Sequence, residues 1–346
     1  MDIISLPLHS GKAPEWLFQK MKKLSSLIVE YMLEEFDTEL ILEKFSDPLW
    51  FQSFGCFLGF DWHSSGLTTT LTGALKEGFR DRNIPIYITG GKGKVALKTP
   101  DEILKISDKV NIDASLFIKL SRLTAKIDNI CVQDGHTLYH HTFWFDSKGN
   151  WLTIQQGMNP SKRTARRYHI FSKKLIDLTN EPHSGIIAER REKSVLNLVS
   201  ERNRKIRENI LRLIKEEGIK EIYKMPFRHE IKLSDLDKKK IYQISINFYK
   251  KNIDKFEKIL LIKGVGEKTL RVLTLLSVIL YGEKPDYTDP ARFSFAHGGK
   301  DGTPYRINRR EYDKTIEILE RIISKRRGFG REDRSFLLKR LYYFVR

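Results

Sequence analysis

Apolar residues recur three and four positions apart along 14–46, at Trp16, Leu17, Met21, Leu24, Leu27, Ile28 and Met32, which predicts helices there. The next stretch, SDPLWFQSFGCFLGFDWHSSGLTTTLTGALKEG, is rich in aromatic residues and glycine and ends in helical period. IPIYITGGKGK reads as a short strand running into a glycine-lysine loop, and TPDEILKISDKV as a helix opened by a threonine cap and an acidic first turn. HTLYHHTFWFDSKGNWLTIQQGMN places runs of aromatic and β-branched residues on either side of DSKGN, which predicts a β-hairpin. Beyond NEPHSGI (180–186) charged stretches of helical period dominate, broken by MPFRHEI, by the glycines at 264 and 266, and by DGTPYRIN. The expected class is α+β, with a mixed α/β domain over 1–185 and an all-α domain over 186–346.

The second domain contains LLIKGVGEKTLRVLTLL, from Leu260 to Leu276, which has the spacing of a helix-hairpin-helix. Glycines at 264 and 266 let the chain reverse, because glycine accepts positive φ, and leave no Cβ in the way of an approaching phosphate. The first amides of a helix starting near Glu267 lack internal partners and sit at the positive end of the helix dipole. Val265 is expected to pack inward, while Lys263, Lys268 and Thr269 stand where a strand would pass. The alternative is an ordinary loop between core helices. Contacts of this kind read the DNA backbone and not its bases.

Charge supports that direction. The chain of 346 residues carries a formal net charge of +18, which attracts polyanions and makes DNA the expected partner. A basic surface unrelated to nucleic acid is the competing explanation. The two cysteines, Cys56 and Cys131, form no CxxC pair, so a four-cysteine iron–sulfur cluster is excluded and two buried thiols are expected. The first residues do not read as a signal peptide and no apolar run reaches membrane-spanning length, so a cytoplasmic protein without a membrane partner is expected.

Polar clusters supply candidate chemistry. FDWHSSGLTTT offers Asp61 and His63 at a strand-to-helix junction, and KIDNICVQDGHTLYHH offers Asp128, Asp134, His136 and His140. On a strand His136 and His140 share a face, and with Asp128 or Asp134 they make a candidate site for magnesium or manganese that activates water. These six residues are the expected catalytic pool of a metal-dependent nuclease; ordinary hydrogen-bonded or exposed histidines are the alternative. TGGKGK (89–94) has glycine backbone and lysines suited to phosphate but matches no Walker pattern. NPSKRTARRYH (159–169) is a dense basic run, and Lys162, Arg163, Arg166 and Arg167 are expected on a nucleic-acid backbone or on a solvated helix start. Gln155 and Gln156 stand where a restriction-type nuclease would want a carboxylate and a lysine.

Two resemblances add to this reading. YGEKPDYTDPARF, following the turn, resembles the hairpin-plus-aspartate region of the base-excision DNA glycosylase superfamily. That resemblance implies Lys268 as a nucleophile on the sugar C1′ and Asp289 as the group assisting departure of the base, in a glycosylase or AP lyase. It covers about thirty residues. The superfamily's tail after the aspartate is absent, and Pro290 stands there instead. The residues themselves give Lys268 a phosphate contact and Asp289 a capping role. A non-enzymatic DNA-binding module is the remaining alternative. Over nearly the whole length, PLHSGKAPEWL, WFQSFGCFLGFDWHSSGLTTTLTGALKEG, GGKGK and QDGHTLYHHTFWF resemble domain-of-unknown-function family 763 of archaea and thermophilic bacteria. That resemblance implies a cytoplasmic protein of heat-adapted lineage and assigns no active site.

Overall fold

The computed structural model describes residues 15–58, 65–215 and 253–291. Asp61 and His63 lie outside the described residues, as do MPFRHEI, DGTPYRIN and the helical stretches expected around them.

Four helices open the described chain: α1 (Glu15–Glu35), α2 (Thr38–Ser46), α3 (Pro48–Phe57) and α4 (Ser65–Asp81). Aspartates set the boundaries. Asp37 caps α2 by accepting from Leu40 N at 2.9 Å. Asp47 ends α2 and starts α3, where it accepts from Leu49 N and Trp50 N while Pro48 presets the first turn. Next come β1 (Tyr87–Lys92), a 3₁₀ turn, α5 (Thr99–Ser107) and α6 (Ala114–Lys126). The expected threonine cap of α5 is replaced. Thr99 is the first helical residue, and its hydroxyl donates back to Ala96 O at 2.7 Å.

A π-helical turn (Ile127–Cys131) leads into β2 (Val132–Gln133), and the expected hairpin follows as β3 (Thr137–Phe145) and β4 (Trp151–Asn159). β5 (Thr164–Phe171), β6 (Gly185–Ala188), β7 (Leu196–Asn197) and α7 (Arg204–Lys215) come next. Among the described residues that remain are α8 (Phe256–Leu260) and α9 (Glu267–Tyr281).

One antiparallel sheet of order β1-β3-β4-β5-β6 forms the middle layer, and β2 pairs separately with β7. Trp144, Leu152, Ile154 and Phe171 bury one face against α1–α4. Phe143, Phe145, Trp151 and Ile170 bury the other against residues of α5, α6, α7, α8 and α9. With both faces covered, the strands carry long buried runs and not a simple apolar–polar alternation. The place where charge patterning changes, near residue 185, falls in β6, which continues the same sheet. Described segments beyond it contribute Ile206, Ile259 and Leu270 to the core that Phe143 and Phe145 enter.

The TGGKGK stretch is more ordered than a flexible loop. Gly90 and Gly91 belong to β1, and a Cβ on Gly90 (φ +81°) would lie 2.2 Å from His141 O. Glu102 accepts from Gly90 N at 2.7 Å and pairs with Lys76, so that amide already has its partner.

Candidate functional site: a polar belt across the sheet and the turn beside it

Cross-strand register places two polar rows back to back. His141, Gln155 and Tyr168 align across β3, β4 and β5, as do their sequence neighbours His140, Gln156 and Arg167. Side chains alternate along a strand, so the first row faces α6 and the second faces α3 and α4. All six are buried. Buried polar groups at this density require partners, and the first row has them.

On that side Asp128 leaves the start of the π-helical turn and is fully buried. One carboxylate oxygen faces His183 Nε2 at 2.5 Å, and the other accepts from Gln155 Nε2. Burial pushes the Asp128 carboxyl above the ordinary aspartate value, against the pull of His183. His141 bridges Gln155 Oε1 at 2.7 Å and Ser121 Oγ at 2.8 Å. A second centre adjoins it. Arg166 donates to Asp134 at 3.1 Å and to Asp289 through both terminal nitrogens. Tyr168 Oη donates to Asp134 at 2.7 Å. Burial raises the pKa of Asp134, but the His136 hydrogen bond and the Arg166 charge outweigh it and hold it below the usual value. Burial likewise opposes the Arg166 charge, and Asp289 and Asp134 overcome it.

The four residues expected to hold a metal do not converge. β3 carries a bulge between Leu138 and His140, which makes Tyr139 the extra residue. One inserted residue reverses every later side chain, so His136 and His140 take opposite faces. His136 bonds Asp134 and Thr164 on the α6 side, whereas His140 meets Thr72 of α4 at 3.0 Å. Among the described residues no group of three or more His, Cys, Asp or Glu side chains is placed to hold a metal ion.

The basic run is also redistributed. Lys162 and Arg163 are exposed, with Lys162 paired to Glu192, but Arg166 and Arg167 are 1% and 0% exposed. Their run is neither a surface patch nor a helix start; it is a central strand covered on both faces. Asp289, the expected helper to Lys268, is occupied by Arg166, by Glu192 N at 2.5 Å and by Ala291 N at 2.9 Å. Cys56 and Cys131 are buried free thiols.

Residues 2–307, which span the polar belt and the turn between α8 and α9, match the family described as protein of unknown function (DUF763). The chain belongs to that family. No curated protein and no solved structure matches it.

In the turn of this DUF763 protein Ile262 and Val265 are buried, while Lys263, Gly264 and Lys268 are exposed. Thr269 is half-buried. Gly264 has φ +94°, which reserves the position for glycine. Gly266 is the N-cap of α9 and gives it no side-chain cap, and a Cβ there would meet nothing within 4 Å. The turn and the start of α9 are fastened at two points by residues that flank the π-helical turn. Lys126 Nζ donates to Val265 O and Gln133 Nε2 donates to Glu267 O, each at 3.1 Å. Between these anchors Asp128 points inward to His183. π-helical turns are frequent at functional sites, but no sequence signal announces this one. Nor does any signal single out His183, because NEPHSGI reads only as a boundary.

Proposed function

We propose that this DUF763 protein binds DNA through the sugar-phosphate backbone at the turn 261–266 and the first turn of α9. The observation that carries this reading is an exposed turn with two lysines, open space at Gly266 and a helix start without a side-chain cap. The net charge of +18 supplies the long-range attraction. Fluorescence anisotropy of a labelled duplex against salt tests it. Replacing Lys263 and Lys268 with alanine is expected to lower the slope of log K against log salt by about two, one for each phosphate that a lysine no longer neutralises. An unchanged slope removes the turn from the interface.

Gly266→Val is a cleaner probe of access than a change at Gly264. Gly266 has φ −143°, which valine adopts without strain, and the added side chain enters open space. The variant is expected to keep its thermal stability and to bind DNA at least about tenfold more weakly, because the methyls occupy the approach to the α9 amides. Undiminished affinity contradicts backbone contact there.

A second reading, processing of the bound strand, is favoured by the Asp128–His183 pair behind the same π-helical turn. A buried carboxylate on Nε2 orients an imidazole whose Nδ1 has no hydrogen-bond partner among the described residues. Such a pair can take and return a proton at a phosphodiester. His183→Ala is expected to abolish strand cleavage measured in EDTA while leaving anisotropy unchanged. Cleavage that persists in the variant excludes His183 as the proton-moving group.

A further inference from the structure

One face of α6 carries a line of polar side chains. Phe117, Ser121 and Thr124 are buried, whereas Ser115 and Arg122 are exposed and Lys119 and Lys126 are half-buried. Residues three and four apart on a helix are neighbours, so Ser115, Lys119, Arg122 and Lys126 follow one another along a single stripe. Both lysines reach across to the unit made by α8, the turn and α9. Lys119 Nζ pairs with Glu257 Oε1 of α8 at 3.1 Å, and Lys126 Nζ donates to Val265 O of the turn at 3.1 Å. α6 therefore runs alongside that unit, with Arg122 between the two crossing points.

The charges along this line are not equally available. Glu257 takes up Lys119, and Glu267 at the start of α9 takes up Arg271 at 2.6 Å. Lys126 directs its ammonium at the carbonyl just before the N-cap residue of α9, which fixes the turn against α6. Arg122 differs from all of these: it is exposed and has no ion-pair or hydrogen-bond partner among the described residues. The two carboxylates that adjoin the line are already occupied by other cations, so they do not compete for it. A guanidinium presents a planar fork that can engage two phosphate oxygens at once.

We propose that Arg122 is a second phosphate contact for the DNA strand seated at α9, so that α6 and α9 form two walls of one backbone-binding site. The inference rests on the reading of the turn as a DNA site and extends it to a helix that the turn's own sequence does not announce. One phosphate meets the exposed amides of α9. Arg122 stands one helical turn, about 6 Å, along α6 from the point where Lys126 meets the turn, and takes another. Lys126 touches no phosphate in this arrangement; it positions the turn through Val265 O.

Anisotropy of a labelled duplex against salt, with the full-length protein, tests the contact. Arg122→Ala is expected to keep the parent Tm, because the side chain is exposed, and to lower the slope of log K against log salt by about one. Combined with the Lys263 and Lys268 changes, the loss is expected to reach about three. Lys173→Ala removes the same charge beyond β5, at the end of the sheet away from the start of β3, and is expected to leave the slope as it is. Arg122→Lys is expected to keep the slope, since lysine also displaces a counterion, while weakening binding severalfold through loss of the fork. A parent slope in Arg122→Ala beside a lowered one in the Lys263 and Lys268 variant overturns the α6 contact and leaves the turn in place. A lowered slope in Arg122→Ala beside an unchanged one in that variant removes the turn and overturns the two-walled site. A slope lost equally in Lys173→Ala shows a general effect of net charge and overturns the contact, as does a slope lost in Arg122→Lys. A parent protein that does not bind the duplex overturns both readings.

Discussion

Arg166→Met is expected to lower the unfolding free energy by about 3–5 kcal/mol, read as a drop in urea midpoint at unchanged m. The expectation rests on what the substitution leaves behind. Arg166 is held between Asp134 and Asp289, all nearly inaccessible to solvent. Removing the guanidinium strands two carboxylates that cannot be rehydrated in place. Tyr168 and His136 still serve Asp134, and Glu192 N and Ala291 N still serve Asp289, but none of these carries a compensating positive charge of the same standing. The triple variant Arg166→Met, Asp134→Asn, Asp289→Asn is expected to recover most of the loss, since a buried ion cluster replaced by neutral groups is often close to neutral in stability. A single variant within about 1 kcal/mol of the parent would mean that water reaches the cluster. The consequence extends to the proposed DNA contact. Asp289 fastens the segment after α9 to the sheet, so loosening it loosens the C-terminal anchor of that helix.

This cluster also marks the limit of what could be read from the chain. Helical spacing located α1 and α2, and the aromatic runs around DSKGN located β3 and β4, because those patterns are local. The burial of Val265 and exposure of Lys263 and Lys268 were legible for the same reason: a tight turn is specified by its own residues. Arg166 was not legible. A basic run has the same appearance on a surface and in a central strand, and the partner that explains it, Asp289, lies 123 residues away. The bulge at Tyr139 has no signature either, and it alone decides that His136 and His140 face apart. His183 becomes informative only once the π-helical turn presents Asp128 to it.

Between pH 7.5 and pH 5 the protein is expected to lose about 2 kcal/mol of stability for each of His140 and His141. Burial lowers their pKa values from 6.5 to about 3 and about 4, so both stay neutral in the fold over this range. In the unfolded chain both take up protons below 6.5. The unfolded state therefore binds more protons than the native state, and stability falls as pH falls until the folded values are reached. His169, whose pKa burial also depresses, adds in the same direction. Asp128 opposes them: its folded pKa is raised, so the fold holds a proton that the unfolded chain has released, which offsets part of the loss above the ordinary aspartate value. Asp134, held low, contributes only at still lower pH, where its protonation removes the pairing with Arg166. Urea midpoints across this range, for the parent and for His140→Gln with His141→Gln, separate these contributions. The double variant is expected to show a much flatter profile, because glutamine has no proton to gain. A parent profile that is already flat would mean that water reaches both imidazoles. The same window bears on the binding measurements: above pH 6.5 the histidine contribution is nearly absent, so a change in DNA affinity there reports on contact and not on unfolding.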